Sequence, residues 1–272
     1  MTLWLDGAYL DPADASVNVA DRGFLLGDGL FETMRLEAGV LRRWARHEKR
    51  LTAGLDALGI AADLPSDIPA LAADLANRNG LDRAVIRLTI TRGSGGRGLD
   101  GASGTKPCVL MTAGALPERS APALVLVNAP RRAPLTLAAH FKMIGYGDNV
   151  FARREARAKG ADMAVMLSPD GHVACADSAN LFWVTGRTVF TPSLDTGALN
   201  GTTRAAILEE CARRNLHIEE DALRPESLAS AEAVLVTNAL WGVMPAASLG
   251  GRALKSEHAL VRLIQAIESE AE

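Results

Sequence analysis

HFKMIGYGDNVFARREA, residues 140–156, is the stretch on which the reading of this chain turns. It sets Lys142 among the apolar neighbours Phe141, Met143 and Ile144, then runs through a glycine-punctuated turn into a charged segment. The chain has five lysines against 24 arginines. Four occupy ordinary places: Lys49 on a charged helix face, Lys106 in a loop, Lys159 near a helix end and Lys255 in a polar stretch. Lys142 reads as a lysine in an apolar strand, where it must find a partner or lower its pKa by desolvation. An amine perturbed in that way is the nucleophile that Schiff-base chemistry requires. On position alone a snorkelling or edge lysine is the commoner outcome, so the decision falls to the rest of the chain. Beyond the lysine, residues 149–159 predict a helix with Asn149 as its N-cap.

Moving outward, residues 3–6 and 8–10 predict two short strands around a turn at Asp6-Gly7. Residues 23–36 begin Gly-rich and end in strand-like alternation, and residues 44–59 and 66–79 carry helical spacing. Residues 84–93 and 107–114 predict strands, and residues 116–123, with two prolines and little periodicity, read as an interdomain linker. Strands are predicted again at 123–129, across 161–184 and at 231–240, with helices over 201–215 and 258–271. The pattern is mixed α/β or α+β in two unequal parts: a small N-terminal domain over 1–115 and a larger C-terminal domain over 124–272 that carries Lys142.

Composition narrows the function classes. The net charge of -3 gives no electrostatic basis for nucleic-acid binding. No apolar run approaches the roughly 20 residues of a membrane span, and the N-terminal residues lack the pattern of a secretion signal. Cys108, Cys175 and Cys211 are far apart and odd in number, which argues for a reduced, cytoplasmic protein with neither a disulfide framework nor a metal site.

Several segments suit an anion. Asn200-Gly201-Thr202-Thr203-Arg204 opens a helix with hydroxyls and a glycine, Thr237-Asn238 ends a buried strand, and Arg50 lies one turn after His47. Each has a plain alternative, N-capping for the threonines and a solvated face for Arg50. Arg92-Gly93-Ser94-Gly95-Gly96-Arg97-Gly98 lacks the ending of a P-loop. Its two arginines suit carboxylate recognition, with a surface loop as the alternative.

Seven pieces in this order, DRGFLLGDGLFETMR (21–35), ARHEKRL (45–51), TRGSGGRG (91–98), HFKMIGYGDNVFARREA (140–156), DSANLFWV (177–184), ALNGTTR (198–204) and VTNALWGVMPA (236–246), resemble the class IV aminotransferases. These are fold-type IV pyridoxal-phosphate enzymes. The resemblance implies two α/β domains with the cofactor between them, usually in a homodimer. It implies that Lys142 forms the Schiff base and moves protons at the substrate carbon. It places Arg50, Thr202, Thr203 and Thr237 at the cofactor phosphate. The glycine loop and the NALWGVMPA segment look most like aminodeoxychorismate lyase, which forms 4-aminobenzoate and pyruvate for folate synthesis. Its two-carboxylate substrate would engage Arg92 and Arg97, with Asn238 nearby. A branched-chain or D-amino-acid transaminase is the alternative.

One position departs from the family pattern. Members carry a glutamate five residues before the Asn of the NLF segment, where it binds the pyridine nitrogen. Counting back from Asn180 gives Cys175, and the nearest acid, Asp177, stands two residues further on. Two residues of strand amount to roughly 6–7 Å, too far unless the strand bulges. A neutral thiol is a weak donor, which points toward lyase chemistry, or toward a paralogue that binds cofactor with little turnover.

Overall fold

Period-2 alternation in residues 29–37 and 83–94 builds the first sheet, because it puts one apolar face on each strand. The computed structural model describes residues 1–96, 98–100, 106–118 and 120–270. These fall into two units, Met1–Pro117 with Phe141–Gly145, and Glu118–His140 with Tyr146–Glu272. Among the described residues no helix is long and apolar enough to cross a membrane.

The first unit contains β1 (Leu3–Leu5), β2 (Ala8–Leu10), α1 (Arg22–Leu26), β3 (Gly29–Glu37), β4 (Val40–Leu41), α2 (Trp44–Leu58), α3 (Ile68–Arg78), β5 (Arg83–Ser94) and β6 (Lys106–Ala115). The six strands pair in the order β2-β1-β6-β5-β3-β4, all antiparallel. Leu30, Met34 and Leu36 of β3 and Ile86, Leu88 and Ile90 of β5 share one core with Leu51 and Leu55 of α2 and Leu75 of α3. Each such side chain contributes about 1.5–3 kcal/mol by burial. Helix α1 is too short to show a period. It forms because Asp21 caps it, its Oδ1 accepting from the N–H groups of Gly23 at 2.7 Å and Phe24 at 3.3 Å.

Lys142 does not lie in a strand. Residues 141–145 form an irregular segment grouped with the first unit, whereas the sequence placed them in the C-terminal domain. Backbone pairing to β3 is the reason. The N–H of Phe31 donates to the carbonyl of Lys142 at 2.9 Å, and that of Ile144 donates to Gly29 at 3.0 Å. Gly29 permits this approach, since a Cβ there would lie 2.4 Å from the carbonyl oxygen of Ile90 and 2.6 Å from Cδ1 of Ile144.

The second unit contains β7 (Ala123–Leu126), α4 (Leu137–His140), α5 (Gly147–Ala158), β8 (Met163–Leu167), β9 (Val173–Ala176), β10 (Asn180–Thr185), β11 (Thr188–Pro192), α6 (Thr202–Arg213), β12 (Ile218–Asp221), α7 (Pro225–Ala229), β13 (Ala233–Asn238), β14 (Gly242–Pro245), β15 (Ser248–Leu249), β16 (Arg252–Ala253) and α8 (Ala259–Glu270). Two five-stranded sheets form, in the orders β12-β11-β10-β13-β14 and β16-β15-β7-β8-β9. Leu181, Trp183, Val234 and Val236 of one sheet meet Leu124, Met163 and Val165 of the other. The alternate residues Phe182 and Val184 pack instead with Ile207 of α6 and Val261 and Ile264 of α8. Helix α5 covers the remaining sheet through Ala152 and Ala156, which cluster with Ala164, Met166 and Cys175. The inner strands are therefore apolar on both faces, which explains the unbroken apolar run of residues 181–184.

Asn149 is not the N-cap of α5, where Tyr146 stands. Asn149 is buried within the first turn, and its Nδ2 donates to the carbonyl of Asp177 at 2.6 Å. Asp177 is itself 2% exposed. Its carboxylate accepts from Nε of Arg153 at 2.7 Å, from Nη2 of Arg153, and from the N–H of Ala164 at 2.8 Å. Asp177 thus joins α5 to β8. Asp177→Ala should reduce unfolding stability by about 3 kcal/mol, the scale for removing one partner of a buried ion pair. Chemical denaturation checks this, and a loss below about 0.5 kcal/mol, the scale of an ordinary surface substitution, would contradict it.

Candidate active site

Two cations of the first unit share one aromatic ring. Nζ of Lys142 lies 4.3 Å from the ring centroid of Phe31, and Cζ of Arg87 lies 3.8 Å from the same centroid. Phe31 is 5% exposed, so the contacts are partly desolvated and favourable. Arg87 stands on β5 on the face opposite Ile86 and Leu88, with Nε donating to Thr89 Oγ1 at 3.2 Å. Sequence reasoning missed Arg87. The signal was present, because alternation in this strand turns Arg87 away from the apolar core, and the β3–β5 register sets it beside Phe31.

Glu32 stands on the other face of β3, 1% exposed. Its carboxylate accepts from Nε of Arg50 at 2.7 Å, from Nη2 of Arg50 at 2.6 Å and from Nδ1 of His47 at 2.7 Å. Burial opposes ionisation of Glu32, but Arg50 and His47 outweigh it and hold the carboxyl at about 2. Burial also pulls His47 below its ordinary value, against the opposite pull of Glu32. His47 is therefore neutral near pH 7. Because an ionised carboxylate only accepts, its proton sits on Nδ1.

Arg92, expected at the substrate, has its partners within the first unit. All three guanidinium nitrogens of Arg92 donate within the first unit: Nε to Asp28 at 2.7 Å, Nη1 to the Gly59 carbonyl at 2.9 Å, and Nη2 to the Leu58 carbonyl at 2.7 Å and Asp28 at 3.1 Å. Asp28 also accepts from Nε of Arg22 at 3.0 Å, and Nη1 of Arg22 holds the carbonyl of Gly98 at 2.8 Å. Arg92 is thus a brace at the foot of the glycine loop, since the Asp28 pairing satisfies the charge that was expected to meet a carboxylate. Arg97 lies outside the described residues. Asn238, also expected at the substrate, turns its Oδ1 to the N–H groups of Leu240 at 3.0 Å and Trp241 at 3.1 Å, forming an Asx-type turn after β13.

The expected phosphate threonines of the second unit lie around Asn180. Nδ2 of Asn180 donates to the Leu199 carbonyl at 2.8 Å, and Asn180 pairs across the sheet with Thr237. At Gly201 a Cβ would stand 2.1 Å from Oδ1 of Asn180, so only glycine permits this approach. Gly201 is the N-cap of α6 and supplies no side-chain cap. The helix opens with Thr202 and Thr203, which are 5% and 1% exposed. The hydroxyls of Thr203 and Thr237 are buried and have no hydrogen-bond partner among the described residues. Buried orphan hydroxyls are costly in a native fold. Together with an uncapped helix N-terminus they fit the phosphate of pyridoxal phosphate.

Cys175 lies on β9, 6% exposed. Burial pushes its thiol up to about 11, with Arg132 pulling down and Asp177 adding to the rise. The register of β8 and β9 does contain an irregularity: Met166 pairs with Cys175 and Leu167 with Val173, so Ala174 is the extra residue. This bulge precedes Cys175. From Cys175 to Ala176 the pairing is regular, and Asp177 is bound to Arg153 and Ala164, so no carboxylate moves to the position of Cys175.

Replacing an orphan hydroxyl by an isosteric methyl separates structure from binding. Thr203→Val and Thr237→Val should leave the cofactor-free protein as stable or up to about 1 kcal/mol more stable. Each should weaken pyridoxal-phosphate binding about tenfold, one lost charge-assisted hydrogen bond. Thermal melts and cofactor titration check this, and loss of stability without loss of affinity would contradict it.

The chain is similar to known proteins in sequence and in fold. The model of the family Amino-transferase class IV matches residues 29–249. The chain is 32% identical over 250 residues to the aminodeoxychorismate lyase of Bacillus subtilis, covering 89% of this chain and 85% of that protein. It is 26% identical over 268 residues to the D-alanine aminotransferase of Bacillus licheniformis, covering 94% and 91%. Its fold superposes on the branched-chain amino acid aminotransferase of Escherichia coli with a TM-score of 0.89 at 24% identity, covering 97% and 92%. A match over most of the length, with the sheets and helices that the structure contains, makes this chain a member of the class IV aminotransferase family.

Proposed function

We propose that this chain is a pyridoxal-phosphate-dependent 4-amino-4-deoxychorismate lyase that releases pyruvate and 4-aminobenzoate. Pyridoxal phosphate is the cofactor of the family to which the chain belongs. When bound, it supplies an aldehyde that condenses with amines and a ring that withdraws electrons from the substrate carbon. Lys142 is the residue we assign to that aldehyde, and its amine then moves the proton at the substrate carbon. Arg50, Thr202, Thr203 and Thr237 are assigned to the phosphate. Arg87, on the ring that also meets Lys142, takes the role of carboxylate recognition in place of Arg92.

The observation that carries the lyase reading is Cys175. A buried neutral thiol donates weakly and holds no charge at the position expected for the pyridine partner. Amino transfer depends on strong electron withdrawal by the ring, whereas an elimination that forms an aromatic product has its own driving force. The 32% identity to a lyase agrees with this. A transaminase acting on branched-chain or D-amino acids is the second reading, favoured by the D-alanine aminotransferase likeness. We also assign the protein to the cytoplasm, in keeping with its free cysteines. A homodimer is supported by the exposed apolar run of Phe24, Leu25 and Leu26 on α1, at 74%, 60% and 53%.

With 4-amino-4-deoxychorismate the purified protein should form pyruvate and 4-aminobenzoate in equal amounts. Amino-group transfer to 2-oxoglutarate or pyruvate as the faster reaction would overturn the lyase reading. Cys175→Glu should raise transaminase turnover about tenfold or more, the effect of restoring a charge-assisted hydrogen bond to the ring nitrogen. Unchanged turnover in that variant would remove Cys175 from the argument.

A further inference from the structure

Arg50, assigned to the phosphate, sits in a largely buried polar cluster with Glu32 and His47, which the assigned chemistry does not use. His47 and Arg50 stand three residues apart on one face of α2, and Glu32 meets both from the middle of β3. Such a cluster is a poor way to hold a helix on a sheet, because apolar side chains of the same volume do so at equal or lower cost. What apolar side chains cannot do is hold a cation in one orientation.

The contacts specify that orientation. Glu32 takes Nε and Nη2 of Arg50 at 2.7 and 2.6 Å, the two-point geometry that fixes the plane of a guanidinium. The edge carrying Nη1 then points away from Glu32. The Nδ1 proton of His47 meets the same carboxylate at 2.7 Å, which satisfies Glu32 from the other side. Charge alone argues against a simple attraction for anions, since Glu32 cancels Arg50. Direction remains as the property that this arrangement confers.

We infer that Glu32 is a positioning residue that aligns the guanidinium of Arg50 for a phosphate, so that affinity for the cofactor depends on its phosphate through Glu32. This rests on the pyridoxal-phosphate reading. In this role Glu32 acts through Arg50, which donates to both of its carboxylate oxygens.

The test compares pyridoxal phosphate with pyridoxal, which has the same ring and aldehyde but no phosphate. Glu32→Gln keeps one acceptor oxygen and the volume of the side chain but loses the two-point hold. The expected result is pyridoxal-phosphate affinity weakened about tenfold or more, with pyridoxal affinity within about twofold of wild type. Equal weakening toward both ligands would make Glu32 a general structural residue and overturn the inference. Unchanged or tighter binding of pyridoxal phosphate by Glu32→Gln would overturn it too, because charge rather than alignment would then govern Arg50. A wild-type chain that binds neither ligand would bring down the cofactor reading itself, and the inference with it. Should Glu32→Gln fail to fold, Arg50→Lys gives the same separation: it keeps the charge and lacks the fork. Arg50→Lys should lose affinity for pyridoxal phosphate selectively, and wild-type affinity in that variant would overturn the inference.

Discussion

Two backbone hydrogen bonds between β3 and the segment around Lys142 are the constraint on which the first unit's site depends. They fix a stretch of chain that has no regular structure of its own. A lysine on a strand would inherit its direction from the pleat. Here the direction comes from the Phe31–Lys142 and Ile144–Gly29 bonds, and from the space that Gly29 leaves by lacking a side chain. Phe31 and Glu32 follow on the same strand and point to opposite faces. One carries the ring against which Lys142 and Arg87 rest, and the other carries the carboxylate that holds Arg50. A single strand thereby organises two chemically different environments, a cationic one around an aromatic face and a charge-balanced one in the core.

The second unit solves a separate problem with the same economy of parts. Asn180 opens β10, pairs with Thr237 and reaches the carbonyl of Leu199, which sets the strand ends against the start of α6. Two hydroxyls are left buried there without partners among the described residues. Other buried polar groups of the unit pair over long range, as Asp177 does with Arg153 and Arg204 with Glu220. Orphan hydroxyls beside a helix N-terminus that lacks a side-chain cap are the signature of a ligand with several acceptor oxygens.

How much of this was legible in the sequence follows from how far apart the interacting residues lie. The helix Trp44–Leu58 and the strand Arg83–Ser94 were readable because their patterns repeat within the element. The threonines at the start of α6 were readable from local composition, a glycine and two hydroxyls opening a helix. Lys142 was found as the unusual lysine, but its apolar neighbours suggested a strand where, among the described residues, a single bridge forms, Leu30 with Met143. The pairing of Arg92 was hidden for another reason. Asp28 lies 64 residues away, and nothing local shows that it will meet Arg92 before any substrate does. Glu32 escaped notice because its partners are 15 and 18 residues distant, and a glutamate in an apolar strand has no period to reveal it. The position of Cys175 could be counted from Asn180. That the bulge falls at Ala174, leaving Asp177 committed to α5, needed the register itself.

The central claim is that Lys142 alone among the five lysines carries the cofactor. Borohydride reduction after incubation with pyridoxal phosphate, followed by peptide mass spectrometry, tests it most directly, because reduction traps the linkage on the lysine that formed it. The account predicts a phosphopyridoxyl group on the peptide containing Lys142, loss of the visible absorption band on reduction, and neither label nor band in Lys142→Ala. A label on Lys49, Lys106, Lys159 or Lys255 with Lys142 unmodified, or an unlabelled protein with no band, would contradict it.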